Sequence, residues 1–120
     1  MLAWIEDLAA RLDLTADTTY ALQLCLEEAV TNIVTHAFDA GSAHDLDLAV
    51  WRDAVALHAE LSDDGRPFDP VAHELAATAK DLASAQIGGL GIRLMRSFAQ
   101  QIVYSRTGGR NRLTLSFARR

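Results

Sequence analysis

The sequence predicts a two-layer sandwich of the α/β (α+β) class: a mixed, largely antiparallel sheet with its helices on one face. Three observations predict it. Segments of helical and strand periodicity follow one another as helix, helix, strand, strand, loop, helix, strand, strand, which is not the alternation of a doubly wound sheet. The strand segments fall in pairs joined by short breaks, as hairpins do. Half of the 120 residues are hydrophobic, enough for one core and normally one domain.

Leu2, Ile5, Leu8, Ala9 and Leu12 recur at helical spacing and define the first helix. Thr15 is placed to cap the second, which the pattern carries to about Phe38. Its stripe is Leu22, Leu26, Ala29, Ile33 and Ala37, widened by Cys25 and Val30, and Asp39-Ala40-Gly41-Ser42 ends it. Leu46, Leu48 and Val50 then alternate with Asp45, Asp47 and Ala49. Arg52-Asp53 reads as a hairpin break. In the returning strand Val55, Leu57, Ala59 and Leu61 are expected to face the helices.

The pattern loosens from Asp63 to Gly89, which holds both prolines and an Ala-rich piece from Val71 to Ala85 that reads as a loop with a short helix. A long irregular excursion of this kind is usually functional or mobile. Ile92, Leu94, Met95 and Phe98 read as a helix opening at Gly89 or Leu90. Ile102, Val103 and Tyr104 read as a strand, Thr107 to Asn111 as a turn, and Leu113, Leu115 and Phe117 as the last strand.

Composition excludes several functions. The net charge is −5 and the pI about 5.2, so broad nucleic-acid binding, which needs a dense basic face, is not expected. Basic residues do cluster from Arg93 to Arg120, either as ordinary surface or as a field favouring a polyphosphate. No segment approaches the roughly 20 apolar residues of a membrane span, and the N-terminus lacks a signal-peptide pattern. The one cysteine, Cys25, permits no internal disulfide and sits in an apolar run, as a buried inert thiol would. A soluble cytoplasmic domain is expected. His36, His44, His58 and His73 show no zinc-ligand spacing. His36 is placed to interact favourably with a helix C-terminus, with a phosphate-facing role as the lesser reading.

Three short segments carry the chemistry. Glu28 and Asn32 are four apart, on one helix face and separated by about 6 Å of rise. The Asn32 amide oxygen suits a hard cation such as Mg2+, and Glu28 would then lie where it could deprotonate an attacking hydroxyl. Glu27 points elsewhere. Asp63 ends a strand two residues before Gly65; its carboxylate can accept from an adenine amino group, and glycine lets a planar base approach. Pro67 and Phe68 add a rigid apolar wall, while Asp64 and Asp69 read as solvated. Gly88, Gly89 and Gly91, with Leu90 and Ile92, open a helix whose free N–H groups attract anions. Each segment alone reads equally as a solvated helix face, an Asp-Gly turn or a loop hinge; their order is what combines them into a site for one magnesium nucleotide.

The segments Glu28-Ala-Val-Thr-Asn32-Ile-Val-Thr-His36, Asp63-Asp-Gly65-Arg-Pro67-Phe68-Asp69-Pro70 and Gly88-Gly89-Leu90-Gly91-Ile92-Arg93-Leu94-Met95 resemble the N-box and two glycine boxes of the GHKL (Bergerat-fold) ATP-binding superfamily. The likeness is strongest to its small anti-sigma-factor serine/threonine kinases, and Gly108 to Leu115 resembles their final strand. The resemblance implies a single histidine kinase-like ATPase domain over residues 1–120. The family's N-terminal edge strand is expected to be absent, since the chain begins directly with a helix. It implies ATP as substrate, Mg2+ on Asn32, Glu28 as catalytic base and Asp63 as adenine acceptor. Gly65, Phe68 and Asn111 would line the pocket, and backbone at Gly88, Gly89, Leu90, Gly91 and Ile92 would hold phosphates. Implied partners are an anti-anti-sigma (STAS) protein as substrate and a sigma factor, with a homodimer as one possible assembly. Two other readings stand beside this one: an ATP-gated binding module without kinase turnover, and the catalytic domain of a sensor histidine kinase.

Overall fold

Thr15 starts the element around which the fold is built. Its hydroxyl oxygen accepts from the Thr18 N–H at 3.1 Å, satisfying one of the donors a helix start leaves free. Helix α2 follows over Ala16–Asn32 and passes into a π-helical turn, Ile33–Ala37, closed by Phe38 N–H donating to Ile33 O at 3.2 Å. The computed structural model describes residues 2–39, 41, 43–73 and 95–118.

Before it, α1 (Leu2–Arg11) buries Ile5 and Leu8. It ends in a Schellman motif: Leu14 N–H donates to Ala9 O at 2.9 Å and Asp13 N–H to Ala10 O at 3.3 Å, with Asp13 left-handed at φ 55°. Arg52 then donates to the carbonyls of Leu12 and Asp13, tying this helix end to the sheet.

Four strands follow: β1 (Leu46–Arg52), β2 (Ala56–Asp63), β3 (Gln101–Thr107) and β4 (Arg110–Ala118). Their order is β1-β2-β4-β3, and every pairing among the described strands is antiparallel. Alternation explains the layers. Leu57, Ala59 and Leu61 of β2 lie opposite Phe117, Leu115 and Leu113 of β4, and all six are buried. They meet Leu22, Cys25, Leu26, Ala29 and Ile33 of the helical layer in one core. Extending that period by one step puts Asp63 and Asn111, also paired across the strands, on the helix-facing side.

Val55 does not join this face. It is 79% exposed, because Asp53 captures the N–H groups of Val55 and Ala56 at 2.8 Å each and makes residues 53–55 a turn rather than strand. On the outer face Asp53 Oδ2 accepts from His58 Nε2 at 2.7 Å, so His58 Nδ1 is left to accept from Ser116 Oγ at 2.9 Å. The Asp53 carboxyl is held down to about 2, first by the Ala56 and Val55 N–H groups and then by His58. Its ordinary value is 3.8, so its contribution is complete above that pH and is lost as pH falls toward about 2. The urea midpoint of the wild type should therefore drop between about pH 4 and pH 2, and that of Asp53→Asn should drop less steeply. Equal slopes would remove this turn from the acid response.

Residues 70–73 and 95–98 are helical, and Met95 is fully buried. The remainder of the Ala-rich segment, and the glycine-rich segment expected from sequence to open a helix, lie outside the described residues.

Candidate functional site

Among the described residues only Ser62, Asp63 and Asn111 are buried polar side chains. Ser62 points to the outer face, where Arg110 donates to its hydroxyl at 2.9 Å. Among the described residues the interior therefore holds two buried polar side chains, side by side. Asp63 is 1% exposed. Its Oδ1 accepts from Gly65 N–H at 2.9 Å and from Asn111 Nδ2 at 2.9 Å, while Oδ2 has no hydrogen-bond partner among the described residues. An unmet buried carboxylate oxygen is costly, and a ligand donor is one way to meet it.

The loop after Asp63 docks onto the end of the long helix. Arg66 N–H donates to Ala37 O at 2.9 Å, and Arg66 Nε to His36 O at 2.8 Å, satisfying carbonyls that a helix terminus leaves free. Arg106 donates to Gly65 O at 2.7 Å. Gly65 is required here for a reason the sequence does not display. A Cβ on it would lie 2.5 Å from Ala37 O and 2.9 Å from Ala37 C, so the space is filled by helix backbone rather than left for a flat base. Gly65→Ala should lower stability by about 1–3 kcal/mol in urea denaturation. An unchanged midpoint would mean that the loop does not sit this close.

Beyond the loop, the Phe68 ring stacks on His36 with centroids 4.7 Å apart and 18° between planes, and His73 lies 4.7 Å from His36. His36 stands in the last turn of the helical run, where the sequence placed it, and its ring packs against these two side chains. Burial, then His73, then Arg66 hold its imidazole below its ordinary value, favouring the neutral ring. Asp64 and Asp69 are not merely solvated. Asp64 Oδ1 accepts from Asp45 N–H at 2.9 Å and contacts His44 Nδ1 at 3.2 Å; Asp69 Oδ1 accepts from Val71 N–H at 3.0 Å, capping the turn at 70–73. Arg110 and Arg112 are engaged on the outer face, with Asp47 and Glu60 respectively.

A narrow crevice, with a cavity volume of about 10 Å³, opens between α2 and the sheet, lined by Ala29, Asn32, Ile33, Asp63, Phe68, Pro70, Tyr104, Asn111 and Leu113. Four residues singled out from sequence, Asn32, Asp63, Phe68 and Asn111, thus meet on one small surface. A wider groove at the other end of α2, around Asp17, Thr18, Phe98 and Phe117, contains no buried polar side chain among the described residues. Asn32 stands where α2 gives way to the π turn, an irregularity often found at functional sites. Glu28 lies one turn earlier, half-buried, and does not line the crevice. Neither the Glu28 nor the Asn32 side chain has a hydrogen-bond partner among the described residues. Cys25, one turn from Glu28, is pushed up to about 12, by burial first and by the Glu28 charge second, as befits an inert thiol. Gly88, Gly89, Leu90, Gly91 and Ile92 lie outside the described residues.

Sequence reasoning missed Tyr104 as a crevice residue. The available signal was its alternation with Ile102, which puts both on the face that pairs with Leu113 and Leu115. Arg66 and Arg106 were invisible as loop supports, since their partners lie 30 and 41 residues away.

The family model of the histidine kinase-like ATPase domain matches residues 1–117. The chain is similar to the serine/threonine-protein kinase BtrW of Bordetella bronchiseptica, 41% identical over 117 residues, spanning 96% of this chain and 81% of that protein. It is also similar to the serine-protein kinase RsbW of Halalkalibacterium halodurans, 26% identical over 109 residues, spanning 88% of this chain and 66% of that one. Among solved structures, the histidine kinase domain of the Erythrobacter litoralis EL346 blue-light activated histidine kinase superposes with a TM-score of 0.61 at 18% identity, over 87% of this chain and 48% of that one. Another EL346 structure superposes with a TM-score of 0.64, also at 18% identity, over 88% of this chain and 32% of its own. At such identity these structures support the fold alone, and the chain spans less than half of either. The family match over nearly the full length, joined to relatives named as protein kinases, makes this chain a member of the histidine kinase-like ATPase domain family.

Proposed function

We propose that this domain binds magnesium-ATP in the crevice and acts as a cytoplasmic anti-sigma factor, transferring the γ-phosphoryl group to a serine or threonine of an anti-anti-sigma (STAS) protein. The observation that carries the reading is Asp63: a buried carboxylate with one oxygen held by two donors and the other without a partner among the described residues, at the wall of a crevice beside Phe68 and Asn32. An acceptor-only group so placed suits the amino group of adenine.

The donor set also fits a magnesium ion. Such an ion is typically held by one or two protein oxygens, with phosphates and water completing its shell. Asn32, whose amide has no partner among the described residues, would provide that oxygen. When bound, magnesium neutralises charge on the phosphate oxygens. Phe68, backed by His36, closes one wall with an apolar ring and helps exclude water. Glu28 removes the proton from the substrate hydroxyl as its oxygen bonds to the γ-phosphorus; the bond to the bridging oxygen breaks, and that electron pair leaves with ADP. Phosphates would be held by backbone N–H groups at Gly88 to Ile92.

No helix among the described residues is long and apolar enough to cross a membrane. The partners proposed are a STAS protein, a sigma factor and, as a further assembly, a second copy of the chain. The test is incubation with γ-labelled ATP and candidate anti-anti-sigma proteins. Acid-stable label on a partner serine or threonine is expected. Nucleotide-dependent association without label would instead make this an ATP-gated binding module, and acid-labile label on a histidine would point to histidine kinase chemistry.

A further inference from the structure

The crevice contains one titratable side chain that this chemistry does not use. Tyr104 of β3 lies opposite Leu113 of β4, half-buried on the helix-facing side. Its phenol donates to Asn111 Oδ1 at 2.5 Å. The same oxygen accepts from Phe68 N–H at 3.2 Å. Asn111 Nδ2 in turn donates to Asp63 Oδ1 at 2.9 Å and to Arg66 O at 2.8 Å. A primary amide has two donor hydrogens and two lone pairs, so all four are engaged within the protein. The assignment of the amide ends is fixed by the same bonds. Reversed, the NH₂ would face the Phe68 N–H and the oxygen would face a carboxylate. Asn111 therefore lines the crevice while having no hydrogen bond left for a purine.

We infer that Tyr104 is a positioning residue that acts through Asn111 on Asp63, locking the carboxylate so that one oxygen alone is presented to the purine. The inference rests on the nucleotide reading above. A carboxylate torsion is broad, and roughly two-fold by itself. Two donors define Oδ1 here: Gly65 N–H, fixed by the backbone, and Asn111 Nδ2, fixed by Tyr104 and Phe68. Removing the phenol hydroxyl frees the amide to reorient and loosens one of the two clamps. Burial holds the Tyr104 phenol above its ordinary value, so the donor is in place at neutral pH.

The test compares wild type with Tyr104→Phe, using magnesium-ATP and magnesium purine riboside triphosphate, which lacks the 6-amino group that Asp63 would accept. In the variant the Kd for ATP should rise about three- to tenfold, as for one lost hydrogen bond, and the Kd for the purine analogue should stay within about twofold. The KM for ATP should rise in parallel with kcat unchanged. Asn111→Ala should shift ATP affinity in the same direction, and the double variant should lose no more than Asn111→Ala alone. Should Asn111→Ala fail to fold, the ratio of the two affinities in Tyr104→Phe decides. Equal loss for both nucleotides would make Tyr104 a general structural residue, unchanged ATP affinity would remove it from the site, and additive losses would mean that it touches the ligand itself. Each outcome overturns the relay. A wild type that binds the two nucleotides equally would overturn the adenine-acceptor reading, and this inference with it.

Discussion

Asp63→Asn should abolish tight nucleotide binding while leaving the fold intact. The reason lies in the two donors on one carboxylate oxygen. Gly65 N–H and Asn111 Nδ2 both point at Oδ1, so an asparagine at position 63 would turn its carbonyl oxygen toward them. Its NH₂ would then replace Oδ2, and a donor would face the adenine amino group where an acceptor had been. The loss is that of a charged hydrogen bond plus an unsatisfied pair, about 3 kcal/mol, or roughly a hundredfold in Kd. The same orientation preserves both internal hydrogen bonds and removes a buried charge, so the urea midpoint without nucleotide should not fall. Calorimetric titration with magnesium-ATP reads the first effect and chemical denaturation the second. Unchanged affinity would take Asp63 out of the pocket; lost affinity with a collapsed fold would make it a structural residue.

Glu28→Gln should separate binding from chemistry. The side chain is half-buried, has no hydrogen-bond partner among the described residues and lies one turn from Asn32 but off the crevice wall. Its replacement should change ATP affinity by no more than about twofold, because no binding contact is assigned to it. Phosphoryl transfer should fall by about 10²- to 10⁴-fold, the range for removing a positioned general base. A transfer rate equal to wild type would show that the hydroxyl proton goes elsewhere. A parallel loss of affinity would move Glu28 from the base role into nucleotide binding.

How far these residues could be read from sequence depended on the range of the interaction that defines each. The two helices and four strands follow from local periodicity, and so does the side on which Asp63 stands, since it continues the alternation of Leu57, Ala59 and Leu61. The same rule failed at Val55, where a short side-chain-to-backbone bond from Asp53 outcompetes the strand. His36 stands at the helix end where the sequence put it, but its ring partners, Phe68 and His73, lie more than thirty residues away and were not legible. Gly65 was marked for the close approach of a base; the close approach the structure displays is that of the Ala37 backbone. Asn111 was placed near the pocket, and the saturation of its amide required the register of three strands. That register depends on the Gly108-Gly109 turn, where φ values of 60° and 76° let β3 reverse into β4 and bring Tyr104 within reach of Asn111. Sequence thus located the segments that converge, while the division of labour within them, contact or support, is a property of the packed structure.

One crevice, built from the end of α2, the loop after β2 and the β3–β4 hairpin, is the place proposed for the nucleotide. Titration of the isotopically labelled chain with magnesium-ATP, followed by amide and asparagine side-chain NMR shifts, tests it most directly. Saturable shifts should concentrate at Asn32 and Ile33, at Asp63 to Phe68, and at Tyr104, Asn111 and Leu113, with Asp17 and Thr18 silent. Shifts confined to the groove around Asp17 and Phe98, with Asp63 and Asn111 unmoved, would contradict the account.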